Sequence, residues 1–275
     1  MTPELSIIIV SHNARHWLGQ CLGSLRAHAE VAAEIIVVEN CSDDGSGELV
    51  RTQFPEVKLI CNAQRQGFAA NNNTGALASS APLLLFLNPD TEVLPGSLRA
   101  MLGVAALHPE CGVFGSRLLD GEGGVERSMG RFPTLVSIFL DRLLQYLPPL
   151  RPALERFSQR HFCGYEEQRE VDWVTGACLW IRRETLEKAR GWDGVKFFMY
   201  YEDVDLCYRA RQAGYKVLYV AQSELFHYHN KAPVKPGQRK TWMRQSQSVF
   251  MRKHYGPLRG RLYPLLLRLF DRVSR

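Results

Sequence analysis

An α/β fold built on a doubly wound, mainly parallel sheet is predicted for this 275-residue chain. Two observations predict it. Over roughly the first 120 residues, short β-branched apolar runs alternate with stretches whose apolar residues recur at helical spacing, the rhythm of repeated β-α units. The segments that follow the apolar runs are rich in Ser, Asn, Asp and Gly, which turns and helix caps require.

The elements follow in order. Residues 5–10 (LSIIIV) read as a buried strand, and 14–28 as a helix carrying Trp17, Leu18, Cys21, Leu22 and Leu25. A second strand covers 34–38, a short capped helix 43–54 and a third strand 57–61. Residues 68–79 form a helix rich in Ala and Asn, 83–87 (LLLFL) a fourth strand, 95–107 a helix with Pro95 in its first turn, and 111–116 a fifth strand. The rhythm then breaks. Residues 117–131 are Gly-rich and polar, a hairpin or loop, and 134–150 are apolar. Residues 171–182 (VDWVTGACLWIR) read as a strand containing a glycine, and 184–189 as a short helix. A helix over 202–213 is closed by Gly214, a strand covers 216–221, and a helix over 241–254 carries Trp242, Gln245 and Val249 on one face.

Composition narrows the class. Apolar residues at 45% and charged residues at 23% exclude disorder, collagen and a coiled coil as the main plan. Seven cysteines without a C-x-x-C exclude a zinc ribbon and a disulfide framework, so reduced thiols in the cytoplasm are expected. No basic leader and no apolar run of about 18 residues is present, so neither a signal peptide nor a spanning helix is expected. The net charge of +6 resides entirely in residues 251–275, with seven basic residues against one acid; residues 1–250 balance at 27 against 27. A neutral body argues against nucleic acid as a partner.

In parallel sheets ligands bind beyond the carboxyl ends of the strands. Those ends read Ser11-His12-Asn13, then Glu39 to Ser46, then Asn88-Pro89-Asp90. Neither G-x-G-x-x-G nor a P-loop motif occurs, so dinucleotide and P-loop chemistry are disfavoured. Acids without phosphate-cradling glycines suggest a divalent cation bridging carboxylate and diphosphate, with Asp90 as the ligand that Pro89 projects. A second acidic group, Glu202-Asp203-Val204-Asp205, follows the apolar stretch 197–201, which would desolvate a neighbouring carboxylate and raise its pKa toward the range of a general base. Of His227 and His229, one is expected to face a given site.

Together these residues resemble the family 2 glycosyltransferases, in particular their rhamnosyltransferase-like branch. The resemblance runs from about residue 5 to 229 and rests on VVENCSDDGS at 37–46, GFAANNNTG at 67–75 and LFLNPDTEVLPG at 85–96. It continues in DWVTGA at 172–177, FFMYYEDVDLCYRARQAGY at 197–215 and His227. It implies a GT-A fold, a nucleotide-sugar donor, Mg²⁺ or Mn²⁺, and inversion at the anomeric carbon. It makes Asp203 the catalytic base with Glu202 beside it, and Asp90 with His227 the metal site. Ser11, Asn13, Glu39, Asn40, Asn73, Gly75, Asn88 and Asp90 fall on the donor side; Asp172, Trp173 and Gly176 fall on the acceptor side. Three departures stand out: Glu39 where Asp is usual, His12 where Tyr is common, and Asn88 for the first acid of D-x-D.

The expected function is transfer of a sugar, rhamnose from dTDP-rhamnose, to a glycan or lipid-linked glycan hydroxyl. The rival readings are a sugar nucleotidyltransferase, which would need a Gly-rich basic loop after the first strand, and a non-catalytic nucleotide-binding protein. The expected organisation is a glycosyltransferase domain over 1–230, divided into 1–116 for the donor and 117–230 for catalysis, and a helical basic tail over 231–275. In the tail Leu258, Leu262, Leu265, Leu266, Leu269 and Val273 follow helical spacing among arginines, with Pro264 expected to start the main helix. That pattern suits an anionic membrane surface at the inner face of the plasma membrane; packing on the catalytic domain or in a homodimer is the alternative use of the same stripe.

Overall fold

The computed structural model describes residues 2–28, 30–137, 140, 164–229 and 237–273, with side chains to 265 in the last segment. The donor half runs β1 (Leu5–Ser11), α1 (Arg15–Ala27), β2 (Ala33–Glu39), α2 (Ser46–Gln53), β3 (Lys58–Cys61), α3 (Phe68–Leu77), β4 (Leu83–Leu87), β5 (Thr91–Val93), α4 (Ser97–Leu107) and β6 (Cys111–Leu119). The second half contains β7 (Met129–Gly130), β8 (Arg169–Val171), β9 (Trp173–Val174), β10 (Cys178–Arg182), α5 (Arg183–Lys188), α6 (Glu202–Gln212) and β11 (Lys216–His227). Two helices follow, α7 (Gln238–Tyr255) and α8 (Pro257–Val273). Most of the predicted apolar segment 134–150 lies outside the described residues.

The main sheet has the order β3-β2-β1-β4-β10-β6-β11-β5, with β8 also on β11. The pairs β2–β3, β1–β2, β1–β4 and β6–β11 are parallel. The predicted strand over 171–182 is three strands. Its last part, β10, inserts antiparallel between β4 and β6. Cys178, Leu179, Trp180 and Ile181 are all buried, and a run apolar on both faces is stable only in a central position.

Alternation along the central strands divides the core. Ile8, Phe86 and Leu179 face α3 and α6, in one layer with Ala76, Leu206 and Phe250. Ile7, Ile9, Leu85 and Trp180 face α1 and α4, with Leu18, Leu22 and Met101. The period of two makes one strand serve both layers.

Two tail expectations are corrected. In α7 the buried residues are Ser246, Phe250 and Met251, not the stripe Trp242, Gln245, Val249, and Gln245 is exposed. The last helix starts at Pro257 and Pro264 lies inside it. Proline has no N–H for the carbonyl four residues back, here Gly260. Ser248 Oγ donates to that carbonyl at 3.3 Å, so α7 supplies the bond that Pro264 cannot.

Gly75 lies on α3 against β1, where a Cβ would sit 2.3 Å from Ile8 Cγ2. Ile8 is fully buried and cannot retreat without moving the sheet. Gly75→Ala is expected to destabilise the protein by about 1–3 kcal/mol through overpacking. Urea unfolding checks it, and an unchanged midpoint would mean that α3 can lift off β1 without loss.

Candidate active site

The carboxyl ends of β1, β2 and β4 and the first turn of α6 meet at one edge of the sheet. Register explains why: Leu87 at the end of β4 pairs with Cys178 at the start of β10. Just before β10, Ala177 accepts a hydrogen bond from Asn88 N at 2.9 Å, and Gly176 N donates to Asp203 Oδ2 at 2.9 Å. Three backbone positions therefore tie the Asn88-Pro89-Asp90 turn to α6.

On the α6 side, Asp203 is half-buried and accepts Val204 N on its second oxygen at 2.8 Å. Glu202 beside it is only 7% exposed, and its Oε2 has no hydrogen-bond partner. Burial, then the charge of Asp203, pushes the Glu202 carboxyl up to about 8. The expected desolvation by the stretch 197–201 thus falls on Glu202. Tyr200 and Tyr201, with φ of 70° and 67°, form the tight left-handed turn that buries it.

Asp205, one turn on, is fully buried and structural. Its carboxylate receives Arg209 Nε at 2.8 Å, Lys253 Nζ at 2.7 Å and His254 Nε2 at 2.7 Å. Burial alone would raise its pKa; the His254 hydrogen bond and the charges of Arg209 and Lys253 outweigh that and hold it below the ordinary 3.8. Arg209 continues to the carbonyls of Ala189 and Gly191, and Lys253 to Asp193 Oδ2 at 2.6 Å. This node joins α6, α7 and the turn after α5.

On the β4 side, Asp90 is buried at the strand end. His227 Nε2 lies 3.5 Å from Asp90 Oδ1 and 3.4 Å from Asn88 Nδ2. The opposite ring nitrogen, Nδ1, meets Glu126 Oε2 at 2.7 Å. Burial alone would depress the imidazole, but its bonds to Asp90 and Glu126 outweigh burial and lift it to about 9. The strand β11 extends to His227, beyond the predicted end at 221, because Leu225 to His227 pair with β5. Tyr228 fixes the strand end by stacking on Trp17 at 5.1 Å and by donating to Glu92 Oε2 at 2.6 Å.

The expectation that only one of the two histidines faces the site is corrected. Residues two apart in an extended chain lie on one face. Both rings converge on Glu126, with His229 Nε2 at 3.3 Å from the same oxygen and the rings 4.3 Å apart. His229 was therefore legible from its spacing. Glu126 was not, since nothing in the Gly-rich stretch 117–131 marks one acid over another.

Other predicted residues divide between facing the edge and building it. Ser11 is fully buried at the end of β1 with its Oγ unpaired, and Glu39 at the end of β2 accepts Ser42 N at 2.6 Å. Asn13 accepts Asp43 N at 3.0 Å and lines an open cavity of about 660 Å³ with Arg15, His16, Trp17 and Asp44. Asn40 is spent on structure: its amide holds Gln66 through both backbone groups, at 3.0 and 2.8 Å. Asn73 clamps the backbone of Trp192 in the same way, at 2.8 and 2.9 Å. Gly75 is the packing contact with Ile8. On the acceptor side Gly176 touches Asp203 directly. Asp172 instead binds Phe132 N and Arg211, both at 2.8 Å, and Trp173 donates to Arg131 O at 2.8 Å.

Comparison with known proteins points the same way. The family model described as "Glycosyl transferase family 2" matches residues 6–189. An N-acetylglucosaminyl-diphospho-decaprenol L-rhamnosyltransferase of Mycobacterium tuberculosis is 29% identical over 239 residues, covering 83% of this chain and 77% of the relative. The rhamnosyltransferase WbbL of Escherichia coli is 25% identical over 232 residues, covering 81% and 82%. Among solved structures, GalNAc-T7 with UDP, GalNAc and Mn²⁺ superposes with a TM-score of 0.63 at 16% identity, covering 90% of this chain and 47% of that one. The mannosyltransferase PcManGT of Pyrobaculum calidifontis, solved with GDP-Man and Mn²⁺, gives 0.58 at 17% identity, covering 91% and 63%. This chain thus spans about half of the first structure's length.

Removing the carboxylate of Asp205 would leave Arg209 and Lys253 buried without compensation. Asp205→Ala is expected to cost about 3–5 kcal/mol of stability at neutral pH. Because the folded pKa is depressed, the stabilisation is complete above the ordinary value of 3.8 and is lost as the pH falls through the folded value. Denaturant melts from pH 7 downward check both points: wild type should converge on the variant only in acid. Equal stability at pH 7 would remove Asp205 as the node.

Proposed function

The chain belongs to glycosyl transferase family 2, and from that premise we propose that it transfers rhamnose from dTDP-rhamnose to a hydroxyl of a lipid-linked glycan, by single displacement with inversion. The observation that carries the reading is the pairing, at one sheet edge, of two carboxyls of unequal proton affinity with the Asp90–His227 pair. The names of the two rhamnosyltransferase relatives support the sugar, and the diphospho-decaprenol in the name of the first supports the acceptor class.

The chemistry needs a base, a charge sink and alignment. Glu202 holds its proton near neutral pH, so Asp203 is left as the carboxylate that accepts the proton of the acceptor hydroxyl. As that oxygen bonds to C1 of the sugar, the bond from C1 to the diphosphate oxygen breaks and its electron pair leaves with the nucleoside diphosphate. No enzyme nucleophile intervenes, so the configuration inverts. Gly176 N–H fixes the Asp203 carboxylate and so fixes the line of attack. Ser11 and Glu39 are assigned to the nucleoside end of the donor, and Asn88, Asp90 and His227 to the diphosphate end.

The residues fit a divalent cation. Glu126 occupies Nδ1 of His227, so Nε2 is the nitrogen turned toward Asp90. One carboxylate and one imidazole suit Mn²⁺ or Mg²⁺ whose remaining ligands come from diphosphate and water, and Asp90 and His227 would hold it. When bound, the ion supplies charge compensation to the leaving group.

The decisive experiment measures nucleoside diphosphate released from dTDP-rhamnose, UDP-sugars and GDP-sugars with a prenyl-diphosphate-linked acceptor. Turnover with dTDP-rhamnose in excess over the others is expected; preference for another donor overturns the sugar assignment. Asp203→Asn should lower turnover by about two to four orders of magnitude while donor binding, read by calorimetry, stays unchanged. Activity within tenfold of wild type would move the base elsewhere.

Glu126→Ala releases the His227 ring. It should weaken Mn²⁺ binding by about 10–100-fold, read directly by electron paramagnetic resonance without any substrate. Unchanged Mn²⁺ affinity would show that Asp90 alone sets the site.

A further inference from the structure

The described part of α8 presents two unlike faces. Gly260 and Tyr263 are buried against α7: a Cβ on Gly260 would sit 2.6 Å from Arg252 Cβ, and Tyr263 donates its hydroxyl to Gln247 Oε1. On the other side Leu258, Leu262 and Leu265 are 69%, 39% and 53% exposed. Their spacing of four and three residues lines them along one stripe. Arg259 and Arg261 are exposed beside it, and the helix has no acid before Asp271.

We propose that this face docks in the plane of an anionic bilayer, with the leucines in the acyl boundary and the arginines at the headgroup phosphates. The inference goes beyond the transfer reaction and stands on the surface of α8 alone; only its use by a lipid-linked acceptor rests on the function proposed above. The stripe is apolar where the rim is cationic, which matches the vertical layering of an anionic lipid surface. A second copy fits worse. A two-fold contact along this stripe would bring Arg259 and Arg261 of both copies into one interface with no acid to meet them. The helix lies on the surface rather than through it, because no helix among the described residues is long and apolar enough to cross a membrane.

The attachment of α8 gives docking a consequence at the active site. Gln247, which receives Tyr263, donates to Tyr201 OH at 2.6 Å, and Tyr201 precedes Glu202 in the chain. Ser246 donates to Met199 O at 2.9 Å. Lys253 and His254 enter the Asp205 node. A helix held in the bilayer surface therefore holds the start of α6, and with it Asp203, at a set height above the lipid. An acceptor whose sugar sits at a membrane-anchored diphosphate would meet the base there without the protein leaving the membrane.

The test is co-sedimentation of the full chain with vesicles of phosphatidylglycerol and phosphatidylcholine, against pure phosphatidylcholine, at low and high salt. Binding to the anionic vesicles alone, weakened by salt, is expected. Leu258→Glu with Leu262→Glu should abolish it. Arg259→Gln with Arg261→Gln should weaken it by about 25-fold, about fivefold for each arginine. All four side chains are exposed, so both double variants should keep the wild-type melting temperature and the wild-type rate of donor hydrolysis in solution. Failure of the full chain to bind anionic vesicles overturns the proposal, as does wild-type binding by the leucine variant. A concentration-dependent dimer that the leucine variant disrupts, without vesicle binding, assigns the face to a second copy and also overturns it. Donor hydrolysis reports on the transfer chemistry independently, so loss of one reading does not obscure the other.

Discussion

A fully buried aspartate surrounded by cations organises the catalytic side of this molecule. Asp205 compensates Arg209, Lys253 and His254, which belong to α6 and α7, and through Arg209 it reaches the carbonyls at the end of α5. Such a cluster is costly to desolvate and gains little net stability over an apolar core. What it gains is direction. Because Asp205 is anchored, the first turn of α6 cannot rotate, and Asp203, half a turn earlier, is held against Gly176 N while Glu202 is turned inward. The acidic triplet looks uniform in sequence, yet its members have three environments: one ion-paired, one held by backbone donors, one desolvated.

The second constraint is topological. A purely parallel sheet would leave β4 and β6 adjacent and would give α6 no short link to the donor edge. The antiparallel insertion of β10 between them brings residues 176 and 177 to the carboxyl end of β4. Those two residues then bond to Asp203 on one side and Asn88 on the other. Blocks more than 110 residues apart in the chain meet through two backbone hydrogen bonds. Gly176 is part of that geometry, since Phe68, Trp192 and Asp203 Cβ all lie within 3.4–3.6 Å of where a side chain would begin.

How much of this the sequence displayed follows from which forces are local. The β-α alternation of the first half is local, so strands such as LSIIIV and LLLFL were legible together with their helices. The motif residues Asp90, Asp203 and His227 were legible through spacing and resemblance. The antiparallel course of β10 was not, because an all-apolar strand reads alike in either direction. The structural use of Asn40 and Asn73 was hidden for a related reason: an asparagine that binds a ligand and one that clamps a distant backbone have the same letter and the same neighbours. Glu126 was hidden most completely, since its partner lies 101 residues away. Pro264 misled because its compensating donor, Ser248, sits on a different helix.

Pro264 also links the tail to the rest of the structure. A proline inside a helix ordinarily marks a kink or an end, since it forfeits one hydrogen bond and crowds the preceding turn. Here the freed carbonyl at Gly260 is taken by Ser248, at the position where the absence of a side chain lets α7 approach. The same two features, a missing N–H and a missing Cβ, therefore select which face of α8 turns inward. Once Gly260 and Tyr263 face α7, Leu258, Leu262 and Leu265 have no route to the core and must point outward. The outward stripe is thus not leftover apolar surface but the consequence of how the helix is fastened, and the fastening runs through Gln247 and Tyr201 to the first turn of α6.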